Sequence, residues 1–100
     1  MSQNSATSTV QLDGPHVRVT RWDIPQGAST GPHVHEYDYV VVPVSNGVMR
    51  VRLPDGREQT NRLQVGAAYE RPAGTEHDVR NDDPQTVSFV EVELLDYPRG

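Results

Sequence analysis

An all-β fold is predicted for this chain on three observations. It divides into short β-branched stretches at a spacing of roughly 8–12 residues. Gly, Pro and Asn-Gly punctuation separates them. No segment carries a helical period, because Pro interrupts every stretch long enough to hold one.

The elements follow in order. "HVRVTRWDI" (His16–Ile24) alternates over its first half, with Val17 and Val19 on one face, and "PQGASTGP" (Pro25–Pro32) reads as a loop. "YDYVVVPVS" (Tyr37–Ser45) is apolar and β-branched, and Asn46-Gly47 predicts a hairpin with positive φ at both turn positions. "VMRVRL" (Val48–Leu53) alternates, with Arg50 and Arg52 opposite Met49, Val51 and Leu53. Pro54–Gly56 predicts a turn, "EQTNRLQV" a weaker strand, and "GAAYERPAG" a short strand entering a Pro-Gly turn. "TVSFVEVELL" (Thr86–Leu95) predicts a strand with Val90, Val92 and Leu94 buried and Glu91 and Glu93 on its polar face. The polar start, "MSQNSATST", predicts a disordered N-terminal tail over residues 1–12, leaving 13–98 as a single domain.

Composition narrows the chemistry. One hundred residues bury a modest core, and such folds often gain stability from a metal or a partner subunit. The chain has no cysteine, so disulfides, thiolate ligands and cysteine nucleophiles are excluded. All nine basic residues are Arg, which excludes a lysine Schiff base. The net charge is −5 and no basic cluster stands out, so no nucleic-acid partner is expected. No apolar run reaches the roughly 20 residues that span a bilayer, and no signal-like apolar region follows Met1. The expectation is a cytoplasmic protein with no membrane partner.

The chemistry-bearing motif is "GPHVHEYDYVVVP" (Gly31–Pro43). His33 and His35 alternate on one strand face, a natural chelating pair for a transition metal. Alone the signal is weak, and an exposed polar strand face explains the pair better. The weight comes from two motifs together. "GAAYERPAGTEHDVRN" carries Gly66, Pro72, Gly74, His77 and Asn81, and these five positions resemble the second motif of the cupin superfamily. Gly27, His33, His35 and Gly47 resemble its first motif. The resemblance covers Arg18 to Leu95. The run "HEYDYVVVP", the lead-in Arg18–Trp22 and "FVEVEL" further resemble a group of small single-domain cupins associated with beta-alanine degradation.

The resemblance implies a cupin-type jelly-roll β-barrel holding one divalent metal ion (Fe, Mn, Ni or Zn) on His33, His35 and His77. It also marks a departure. The family's first motif has a glutamate ligand, and this sequence puts Val40 there with a four-residue spacing, or Tyr39 with a three-residue spacing. Glu36 is turned away by strand parity. Three neutral imidazoles leave open coordination positions and an uncompensated 2+ charge, which favours an anionic or chelating substrate.

Around this site Tyr37 is the candidate for a hydroxyl near the metal, with Tyr39 assigned to packing and Val40 and Val42 to an apolar wall. Arg71 is the candidate clamp for a substrate carboxylate. Trp22 is expected in the core or an interface, His16 on the surface, and Gly66, Gly74 and Asn81 in structural roles. The leading functional expectation is a dioxygenase-type enzyme acting on a small chelating acid, ketone or thiol. The alternatives are a non-redox isomerase or lyase using Zn or Mn, or a non-catalytic small-ligand-binding module. Small cupins often pair edge strands, so a homodimer is expected.

Overall fold

β-Branched residues and frequent turn signals give nine strands among the described residues. The structure, a computed structural model, describes residues 5–98. The strands are β1 (Thr7–Asp13), β2 (Val17–Ile24), β3 (His33–Val34), β4 (Tyr37–Pro43), β5 (Gly47–Arg52), β6 (Glu58–Leu63), β7 (Tyr69–Arg71), β8 (Glu76–Asn81) and β9 (Val87–Pro98). They form two antiparallel sheets, one ordered β1-β2-β9-β4-β7 and the other β3-β8-β5-β6. The two sheets face each other in a jelly-roll β fold, as the all-β reading expected. Among the described residues no helix is long and apolar enough to cross a membrane.

The core lies between the sheets. Ile24, Tyr39, Val41, Met49, Leu63, Val87 and Phe89 are all buried there. Full burial of each aliphatic side chain contributes about 1.5–3 kcal/mol. The motif asparagine ties the strands together. Asn81 is fully buried, and its Nδ2 donates to the carbonyls of Ile24 (2.7 Å) and Gln85 (2.8 Å) while its Oδ1 accepts from the Asp83 amide. Gly66 and Gly74 have φ of 80° and 85°, conformations that other residues rarely adopt.

Three expectations need correcting. Part of the expected tail is a strand: Thr7–Asp13 pairs with β2, although all seven residues are exposed. Backbone pairing to a sheet edge needs no apolar side chains, so composition did not reveal it. Residues 1–4 lie outside the described residues. The Asn46-Gly47 hairpin does not form. β4 and β5 belong to different sheets, and neither residue has positive φ. Gly47 is needed for another reason: a Cβ there would meet Val87 Cγ2 at 2.5 Å. The parity of β9 is also opposite to that expected. Val87, Phe89 and Glu91 are buried, whereas Val90, Val92 and Leu94 are half-buried on the outer face.

Candidate metal centre

The three histidines converge because β3 pairs with β8 in a register that sets His33 opposite His77. Cross-strand partners project to the same face. The loop before β3 is held on β8, with the Thr30 amide donating to Val79 O at 2.8 Å. Beyond β3 the chain is clamped to the turn after β7. The His35 amide donates to Thr75 O, and the Gly74 amide donates to His35 O. Asp38 Oδ1 accepts from the Ala73 amide at 2.8 Å in the same place.

A ligating nitrogen from each of His33, His35 and His77 lies within 4.8 Å of the others. His33 Nε2 and His35 Nε2 are 3.2 Å apart. Two nitrogens at about 2.0–2.1 Å from one ion stand about 3.0–3.4 Å apart, so this pair is already at the separation a metal needs. His33 Nδ1 donates to Gly31 O at 2.8 Å, which leaves the Nε2 lone pair free to coordinate. His77 Nε2 is buried with no hydrogen-bond partner among the described residues. Burial holds His35 and His77 down at about 4, assisted by repulsion from the neighbouring imidazoles, so both are neutral near pH 7. This donor set fits a divalent transition ion.

A cavity of about 160 Å³ adjoins His77. Val41, Met49, Val51 and Phe89 make its apolar walls, and Tyr39, Arg71 and Glu91 add polar groups. Tyr39 stacks on His35, and its hydroxyl is buried without a hydrogen-bond partner among the described residues. Burial pushes that hydroxyl out of the range in which it could ionise near neutral pH.

The cupin domain family model matches residues 20–93. The chain is a cupin. Over 89 residues it is 45% identical to the beta-alanine degradation protein BauB of Pseudomonas aeruginosa, an alignment covering 89% of this chain and 93% of that one. A cupin domain structure from Bordetella pertussis matches with a TM-score of 0.87 and 42% identity, covering 94% of this chain and 97% of that one. The polyketide cyclase RemF of Streptomyces resistomycificus shares the fold, with a TM-score of 0.72 and 24% identity over 90% of this chain and 65% of that one.

Within this cupin the sequence-predicted residues fall unevenly. Val40 does not stand in the glutamate position. It is half-buried on the outer face and paired with Val92 and Glu70, while Tyr39 and Val41 line the cavity. A register irregularity between Tyr37 and Tyr39 resets the parity of β4, so the three-residue spacing is the correct one. Val40 and Val42 therefore make no wall of the site. The hydroxyl beside the histidines belongs to Tyr39. Tyr37 does not line the cavity. Arg71 lines the cavity although it is exposed, with its guanidinium 4.6 Å from the Tyr69 ring centroid. His16 is exposed, as expected.

Sequence reading missed Glu91. It is 8% exposed, its Oε1 accepts from Trp22 Nε1 at 3.2 Å, and its Oε2 lies 3.9 Å from His35 Nε2. Burial pushes its carboxyl up to about 7, against the Trp22 hydrogen bond that lowers it. The expected ligand set holds no carboxylate, and the last strand brings this buried one beside it. Val90, Val92 and Leu94 masked it, because they placed the apolar face of β9 on the wrong side.

Proposed function

We propose that this cupin is a metal-dependent enzyme of the dioxygenase type. It would act on a small chelating acid, ketone or thiol at an ion held by His33, His35 and His77. The observation that carries this reading is the convergence of three imidazoles beside a cavity sized for a small molecule. A divalent ion in such a site supplies Lewis acidity and, if it is iron, redox chemistry.

The chain's own residues do the rest. Val41, Met49, Val51 and Phe89 exclude water from the reacting end. Arg71 stands on the cavity wall, where its planar guanidinium can take a substrate carboxylate in a bidentate pair. Tyr39 offers a neutral hydroxyl beside His35. The beta-alanine association of the Pseudomonas relative supports a small carboxylic acid among the three substrate classes. A cytoplasmic homodimer completes the reading, with the exposed edge strand β1 open to pairing.

The test is oxygen uptake by the Fe(II)-loaded protein, measured with an electrode against a panel of small acids, diketones and thiols. Uptake with one class, lost in Arg71→Ala for the acids, supports the proposal. No uptake with any class rejects it. Turnover of the same panel by Zn- or Mn-loaded protein without oxygen would favour an isomerase or lyase.

A further inference from the structure

We propose that Glu91 is the fourth protein ligand of the metal centre, reaching it from β9 rather than from the first motif. The inference rests on the three-histidine reading above and adds a carboxylate to it.

Three observations carry it. First, the usual glutamate position holds Tyr39, whose ring stacks on His35, so that position supplies no carboxylate. Second, Glu91 is buried on the inner face of β9, with Oε1 tied to Trp22 Nε1 and Oε2 turned toward His35 Nε2 at 3.9 Å. No arginine pairs with it among the described residues. Glu93, two positions on, is by contrast held by both Arg18 Nε and Nη2. A buried carboxylate without a cationic partner is costly, and a nearby cation removes most of that cost. Third, the reach is short. Nitrogen and oxygen ligands on one ion stand about 3 Å apart, so Oε2 closes by about 1 Å. That is the gap to His35 Nε2; Glu91 stands outside the trio of converged nitrogens, and its side chain must also turn toward His33 and His77.

The Trp22 bond then has a role beyond packing. It occupies Oε1 and leaves Oε2 as a single ligand oxygen. Ligating carboxylates are themselves hydrogen-bonded, and that partner fixes their orientation. The centre becomes three imidazoles and one carboxylate with a net charge of 1+, and an octahedral ion keeps two open positions for a bidentate substrate.

Chelator competition on the Co(II)-loaded protein, read with its visible absorption spectrum, tests this. Glu91→Gln keeps size and the Trp22 contact but removes the anion. We expect at least tenfold weaker Co(II) retention and a changed absorption band, while the metal-free variant unfolds at the same or a higher denaturant concentration than the parent. A residue with a merely structural role would move stability and leave the spectrum alone. Parental affinity and spectrum in Glu91→Gln overturn the proposal. Should that variant fail to fold, Glu91→Asp decides. It keeps the charge and shortens the reach, so at least fivefold weaker retention supports ligation and parental retention overturns it. A parent that takes up no ion sinks the three-histidine reading as well, whereas equal binding by parent and Glu91→Gln sinks this inference alone.

Discussion

The Tyr39 ring stacks on the His35 imidazole, with centroids 3.9 Å apart and planes 22° from parallel. The tyrosine is 1% exposed, and its hydroxyl has no hydrogen-bond partner among the described residues. Leaving a buried hydroxyl unpaired costs about 1–3 kcal/mol. Tyr39→Phe keeps the stack and removes that cost, so the variant is expected to unfold at an equal or higher urea concentration. A loss above about 1 kcal/mol would mean that the hydroxyl is bonded in solution.

Position 40 gives a second test. The four-residue spacing puts Val40 in the place of the family's glutamate, but its side chain is on the outer face of β4. Val40→Glu is therefore expected to leave metal retention within twofold of the parent by chelator competition. Tighter retention would show that the side chain reaches the histidines after all.

Gly47 and Val87 form a testable pair. A methyl group on residue 47 would sit 2.5 Å from Val87 Cγ2, and Val87 is fully buried. Gly47→Ala is expected to lose about 1–3 kcal/mol in denaturant unfolding through overpacking. Val87→Ala opens the needed space, so the double variant should lose less than the sum of the singles by at least about 0.5 kcal/mol. Strict additivity would place the cost elsewhere.

The buried acid and bases set the response of the metal-free protein to pH. His35 and His77 are held down at about 4 in the fold against 6.5 when unfolded, and Glu91 is held up at about 7 against 4.5. Between pH 6.5 and 4.5 the unfolded chain therefore carries protons on both histidines, and the native state carries one on Glu91. The unfolded state binds more, so stability falls as pH falls through this window. Glu91→Gln removes the one opposing titration, and its acid loss should be about twice as steep. Urea midpoints at several pH values check both slopes. A flatter profile in Glu91→Gln would reverse the sign assigned to Glu91.

Much of this site was legible before the fold was seen. His33, His35 and His77 followed from two motifs, and Asn81, Gly66 and Gly74 took the structural places expected of them. What failed was parity, twice, in two strands that pair with each other. In β4 an irregularity between Tyr37 and Tyr39 moved the hydroxyl and the apolar wall by one residue. In β9 the outer face carries Val90, Val92 and Leu94, and they drew the core assignment away from Glu91. A sheet whose outer face is itself half-buried gives an alternation that does not say which side is in.

The order β1-β2-β9-β4-β7 has a temporal side. Synthesis delivers β9 after every other strand, yet β9 lies between β2 and β4 and holds them together through two long ladders. Until it emerges, β2 and β4 have no partner between them, and their facing edges stay unpaired. Contacts between such distant segments form slowly. Without β9 the sheet keeps two unpaired strand edges, and exposed edges of that kind favour aggregation. The second sheet, complete at Asn81, can close first and bring the three histidines together before Glu91 arrives.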